Sequence, residues 1–220
     1  MVGLGGVGSW AAEALARSGV GGLVLVDLDH VAESNLNRQV QATLHSLGAH
    51  KGQALADRIK ILNPDCRVEV IDAFLSEENA CSILAQADFW LDACDDLAAK
   101  RAMVLHFPDK TRERQLVVCG GAGGKTDPTR IRSADLSATE QDPLLSKLRY
   151  QLRRSHGFHR EGRMRIPVVY CQQAPVSTPD CSPAARLACA GYGSLVTVTA
   201  ALGLAAAAQV MQRLTSGRPR

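Results

Sequence analysis

The chain has 220 residues, 46% of them hydrophobic, and a formal net charge of +3. That length allows one large domain or two small ones with a sizeable core. The composition is that of an ordinary soluble globular protein, which excludes the compositional extremes, and so slight a positive balance does not by itself imply nucleic acid.

The seven cysteines (Cys66, Cys81, Cys94, Cys119, Cys171, Cys181, Cys189) form no C-x-x-C pair, so no zinc site of paired knuckles is expected. Their odd number in an α/β chain favours reduced thiols and a cytoplasmic location. Met1 falls almost on a glycine loop, so a truncated start is expected, with half a strand and a helix missing. Gly3, Gly5 and Gly8 match G-x-G-x-x-G, with Gly6 between them. Such a loop lets backbone N–H groups approach a phosphate at a helix N-terminus. The helix is predicted over 9–18, with Gly19 as its stop. Leu23–Val26 reads as a buried strand ending in Asp27, roughly 20 residues past the glycines, where a ribose hydroxyl would be held.

Asp27 to Gln39 is a polar loop. A helix is predicted over 49–62, a strand over 67–71, a helix over 77–85 and a strand over 89–92. Helix resumes over 96–107 and strand over 116–119. This alternation argues for a mostly parallel sheet covered by helices, whose ligands bind beyond the strand C-termini. Asp27, Asp95 and Gly120–Gly124 all fall there. Further on, a strand is predicted over 129–133, a helix over 143–154 and a strand over 166–170. Residues 155–165 read as a basic, mobile loop. Residues 191–214 are apolar. A membrane span over 191–210 is one reading. The apolar character comes from Ala and Gly, with Thr197 and Thr199 interspersed, so a buried core helix is preferred and no stable membrane partner is expected.

A dinucleotide dehydrogenase would follow its first βαβ unit with hydride chemistry. Here Asp27 is followed by Asn35, Arg38 and Gln39, then by Lys51 at a helix start. An arginine and a lysine near a phosphate loop suit the β- and γ-phosphates of ATP. Taken singly, each would be an ordinary surface cation.

Gly3–Gly8, Val26-Asp27-Leu28-Asp29, Ser34–Gln39, Lys51, Asn63-Pro64 and Leu91–Asp95 together resemble the adenylating domain of ubiquitin-activating enzymes and of the molybdopterin- and thiamine-synthesis adenylyltransferases. Gly120–Ile131, Asp135-Leu136 and Gln141–Leu144 are similar to the tRNA threonylcarbamoyladenosine dehydratase branch of that superfamily. The resemblance implies an α/β, doubly wound, Rossmann-like and mostly parallel sheet. Its adenylation site lies at the strand C-termini, in a core over 1–124. A smaller C-terminal extension over 125–220 completes the domain.

The resemblance further implies that ATP and Mg²⁺ bind at Gly3, Gly5, Gly6, Gly8, Asp27, Asp29, Asn35, Arg38, Gln39, Lys51 and Asp95. Asp95, Arg38 and Lys51 would be catalytic, with Asp95 meeting metal through Mg²⁺–ATP alone. The reaction implied is cyclisation of threonylcarbamoyladenosine at position 37 of tRNA through an acyl-adenylate, by a homodimer. Relatives take an arginine from an N-terminal helix, which a truncated chain would lack and without which it would be inactive. The alternative is adenylation of the C-terminus of a ubiquitin-like sulfur-carrier protein. That chemistry would call on a sulfur-transfer or acceptor partner and on a thiol, for which Cys189 is the candidate. A nucleotide-binding module without catalysis is the third class. Lys147, Arg149, Arg153, Arg154, Arg160 and Arg163 form a basic stretch suited to tRNA phosphates, with Tyr150 and Phe158 as stacking candidates.

Overall fold

In the computed structural model, which describes residues 1–176 and 193–216, Val2 sits in the middle of the sheet. β1 (Gly22–Val26) pairs in parallel with β2 (Arg67–Ile71) on one side. β3 (Trp90–Asp92) pairs in parallel with β4 (Leu116–Cys119) on the other. Val2 forms parallel bridges to both Val26 and Asp92, joining the two halves. Beyond β4, an antiparallel pair of β5 (Ile131–Asp135) and β6 (Pro167–Cys171) completes the sheet, β6 lying parallel beside β4. The order is therefore β2-β1-Val2-β3-β4-β6-β5.

Helices cover both faces. α1 (Gly8–Arg17), α2 (Lys51–Leu62) and α7 (Val196–Thr215) pack on one. α3 (Ala80–Leu84), α4 (Leu97–His106) and α6 (Pro143–Ser155) pack on the other. β4 shows why. Its four residues are all buried, and Leu116 and Val118 enter one core while Val117 and Cys119 enter the other. A strand buried on both faces reads as a continuous apolar run.

The strands expected at 67–71 and 116–119 form as predicted. β5 is displaced two residues from expectation because Pro128–Arg130 turns as a 3₁₀ helix capped by Asp127. α3 starts late because the Asn79 side chain accepts from Ser76 N–H and donates to Phe74 O, holding 74–79 as a loop. α5 (Asp109–Gln115) was not expected, since its residues DKTRERQ have no apolar periodicity.

α7 occupies most of the stretch expected over 191–214, with residues 191–192 outside the described residues. It buries Val198, Leu202, Gly203, Ala206 and Val210, and its closest partner is α1. Among the described residues no helix is long and apolar enough to cross a membrane. The two helices approach so closely that a Cβ on Gly203 would lie 2.4 Å from the Val7 carbonyl oxygen.

Asp135, at the end of β5, organises the basic loop expected to be mobile. Its carboxylate accepts from Ser137 Oγ (2.6 Å) and from the N–H groups of Met164 (2.8 Å), Ser137 (3.0 Å) and Ile166 (3.1 Å). Burial opposes its ionisation, but these donors outweigh burial and hold the carboxyl below its ordinary value.

Two outcomes follow. Gly203→Ala destabilises the fold by about 1–3 kcal/mol in urea unfolding, whereas Gly21→Ala, whose Cβ would meet nothing within 4 Å, is near neutral. Asp135 contributes stability that is present above the unfolded carboxyl value of about 4 and is lost as pH falls through its lower folded value. Asp135→Asn therefore flattens the acid limb of stability against pH, measured by denaturant titration between pH 2 and 7.

Candidate active site

Where α1 begins, the sheet opens into a cleft of about 610 Å³. Gly3 has φ +83°, and a Cβ there would lie 2.6 Å from Cys94 N, so only glycine lets the chain leave the sheet at this point. A Cβ on Gly8 would lie 1.9 Å from Gly3 O, so Gly8 closes the turn from behind. Gly5 has nothing within 4 Å of its Cβ position and faces open space.

The cleft is lined by Gly3, Gly5, Gly6, Asp27, Asp29, Asn35, Arg38, Gln39, Lys51 and Asp95. Of the expected ATP-contacting residues, Gly8 alone is not in its lining; it supports the loop. Asp27 is 8% exposed and holds the loop in place, accepting from Leu4 N–H at 2.6 Å and from Asp29 N–H at 2.9 Å. Lys51 Nζ lies 2.7 Å from Asp29 Oδ2, and Lys51 N–H donates to Asp29 O, tying the start of α2 to the end of β1. The Arg38 guanidinium donates to Ser34 O (2.6 Å) and Asn37 Oδ1 (2.9 Å) and has no carboxylate in ion-pair range among the described residues. Asn35 uses its Oδ1 to cap its own turn, accepting from Ala32 N–H. Asp95 is exposed and makes no hydrogen bond or ion pair among the described residues.

The opposite wall is Gly120–Gly123 with Leu144. Here composition and spacing alone missed the organising groups. Lys125 and Asp142 form a buried ion pair at 2.7 Å, and Lys125 Nζ also donates to Cys171 O at the end of β6. Asp142 accepts from Gly121 N–H and from Leu145 N–H at the start of α6, so one carboxylate sets both the glycine wall and the helix. A second buried pair, Lys100–Asp92 at 3.1 Å, lies beneath the floor, and Lys100 Nζ donates to Cys119 O at the end of β4. Asp92 outweighs the desolvation of Lys100 and raises its affinity for the proton. The sequence signal was an acid closing β3 followed by a lysine in the first turn of α4, but lysine is ordinarily a surface residue.

The thiols at the floor are not activated. Burial first, then Asp92, raises Cys94 well above its ordinary value, and burial pushes Cys119 up to about 12. Cys189 lies outside the described residues. No group of three or more His, Cys, Asp or Glu able to hold a metal occurs among the described residues.

The basic stretch divides. Arg149 is spent internally, its Nη1 donating to Leu136 O, Thr139 O and Thr139 Oγ1. Arg153 is half-buried, while Lys147, Arg154, Arg160 and Arg163 are exposed, Arg163 pairing with Glu113 at 3.2 Å. Tyr150 is exposed beside Arg154. Phe158 is not free to stack on a base: it packs against the core with the Arg112 guanidinium 4.7 Å over its ring.

Lys100→Met leaves Asp92 buried without its cation and costs about 3–5 kcal/mol in urea unfolding. Asp92→Asn with Lys100→Met recovers part of that loss, because no charge is then stranded.

The ThiF family matches residues 1–219. The tRNA threonylcarbamoyladenosine dehydratase of Haemophilus influenzae is 40% identical over 221 residues, which cover 97% of this chain and 84% of that relative. The crystal structure of the Escherichia coli tRNA N6-threonylcarbamoyladenosine dehydratase in complex with ATP matches with a TM-score of 0.83 at 36% identity, covering 98% of this chain and 84% of that one. The molybdopterin-synthase adenylyltransferase of Escherichia coli is 37% identical over 106 residues, 47% of this chain and 41% of that relative. With the family match running from residue 1 to 219 and a dehydratase relative aligned over 97% of the sequence, this chain belongs to the ThiF family.

Proposed function

We propose that this chain is an ATP-dependent dehydratase that cyclises threonylcarbamoyladenosine in tRNA through an acyl-adenylate. The observation that carries it is the convergence of the glycine loop, Asp27, Arg38, Lys51 and the unpaired Asp95 on one cleft. Two cations from separate segments beside a glycine loop suit a triphosphate whose pyrophosphate leaves, whereas hydride transfer expels no such anion. Further support is that similarity to the dehydratases runs the length of the chain, whereas similarity to the sulfur-carrier enzyme covers about half.

In this reading Asp27, already set by Leu4 and Asp29 N–H, offers its remaining lone pairs to the ribose hydroxyls. The N-terminus of α1 and the Gly5–Gly6 backbone face the phosphates. The substrate carboxylate attacks the α-phosphorus, and the bond to the bridging oxygen of pyrophosphate breaks. Arg38 and Lys51 stabilise the charge that collects on the leaving pyrophosphate. The substrate's own nucleophile then closes on the activated acyl carbon and AMP departs with the former carboxylate oxygen. The net loss from the nucleoside is one water. Both steps gain from holding the reactants together.

Mg²⁺ fits as a companion of ATP: the exposed Asp95 carboxylate and the phosphate oxygens would hold it, and it would neutralise phosphate charge. One free carboxylate without a cluster is too little to retain the ion without nucleotide. Lys147, Arg154 and Arg160 are the cations left to meet tRNA phosphates. Leu144 to Arg154 spans about 15 Å along α6, a reach that suits a substrate lying across the cleft mouth. A homodimer working in the cytoplasm completes the reading.

The test is mass spectrometry of nucleosides from tRNA bearing threonylcarbamoyladenosine after incubation with the protein, ATP and Mg²⁺. Loss of one water that requires ATP, and falls roughly a hundredfold or more in rate in Asp95→Ala and Arg38→Ala, supports the proposal. No loss, with pyrophosphate exchange dependent on a sulfur carrier ending in Gly-Gly, overturns it in favour of carrier activation.

A further inference from the structure

Phe74 lines the cleft, yet its side chain is left in water at 62% exposure. Its neighbour Leu75 is 5% exposed and anchors the same loop in the core. The loop is braced at two further points. The Asn79 amide donates to Phe74 O at 2.8 Å and Asn79 Oδ1 accepts from Ser76 N–H at 2.7 Å. Glu77 pairs with Arg101 at 2.6 Å, and Arg101 Nη1 donates to Gln151 Oε1 on α6 at 3.0 Å. An apolar ring is thus presented to solvent from a fixed backbone at the mouth of a cleft. A disposition of that kind favours a flat ligand, because the cost of ordering the ring's support is met before binding.

The Arg101 bridge places this loop beside α6, whose Leu144 lines the same cleft and whose Lys147 and Arg154 are exposed. Phe74 and Leu144 line one cleft, so an RNA whose phosphates met those cations while its reacting nucleoside entered the cleft would find Phe74 in the cleft lining. We propose that Phe74 is the stacking surface for a nucleobase of the RNA substrate, at or next to the reacting nucleoside. This rests on the dehydratase reading. Aromatic rings serve unpaired bases in this way because every base has a π-face, and the phosphate contacts then supply affinity without selecting the base. The same chemistry would also suit the adenine of ATP, so the two sources are separated in the test.

Steady-state kinetics of water loss are measured for wild type, Phe74→Ala, Phe74→Leu and Phe74→Trp with varied tRNA at saturating ATP. Binding of a non-hydrolysable ATP analogue is measured by calorimetry without RNA. The proposal expects KM for tRNA to rise roughly fivefold to a hundredfold in Phe74→Ala. It expects a similar rise in Phe74→Leu, which keeps an apolar side chain but has no ring, and restoration in Phe74→Trp. Analogue affinity and thermal midpoint stay at wild-type values. An unchanged KM in Phe74→Ala overturns the proposal, as does a loss confined to analogue binding, which would assign the ring to ATP. Wild type without water loss would instead sink the dehydratase reading on which the proposal stands.

Discussion

The site depends on how Met1–Gly3 threads the sheet. Val2 N–H donates to Leu91 O and Val2 O accepts from Ala93 N–H, while Gly3 N–H donates to Val26 O and Val26 N–H to Met1 O. Three residues thus supply the hydrogen bonds that hold β1 against β3. They also launch the glycine loop from the midpoint of the sheet, where strand order reverses and a crevice must form. Asp27 ends one flanking strand and Asp92 the other, so the acid that holds the loop and the acid that anchors the floor are placed by the same ladder. A side chain at Gly3 would force the Ala93–Cys94 backbone away and disturb both.

Charge in the cleft is sorted by depth. At the surface, Arg38, Asp29 and Asp95 keep solvent or ligand access, while Lys51 is buried and meets the cleft beside Asp29. Beneath them, Lys100 and Lys125 are fully sequestered, each spanning a carboxylate and the carbonyl that ends a strand. The two lysines act alike on β4 and β6. They turn strand ends, where unpaired carbonyls would otherwise face a low-dielectric interior, into fixed points. The glycine wall at 120–123 hangs from one of these points through Gly121 N–H.

Much of the architecture was legible because doubly buried strands advertise themselves as apolar runs and glycines punctuate the loop. The expected ATP-contacting residues lie together for the same reason: topology forces strand C-termini to one edge. What the sequence hid was polarity used inside. Lys100, Lys125 and Arg149 look like surface cations and are structural, since local pattern carries no information on a partner many residues away. Phe158 sits in a basic stretch, which suggests a base-stacking role, yet its ring is part of the core. α5 has no apolar stripe, so its helix could not be read from periodicity.

The start of α7 and Ser194 just before it close against the glycine loop and the polar loop that follows β1. The Cβ position of Gly6, in the loop that opens the cleft, lies 3.0 Å from a methyl of Thr199, and Asn37 donates to Ser194 O. Ser194 and Thr199 also line the cleft. During synthesis, the ribosome releases the glycine loop long before the helix that seats it. The nascent chain can pair β1 with β2 early, since they are near in sequence, but it cannot enclose a nucleotide until residue 199 has emerged. Nucleotide occupancy therefore stabilises chains that have reached α7, and shorter ones gain less from ATP in the surrounding solution.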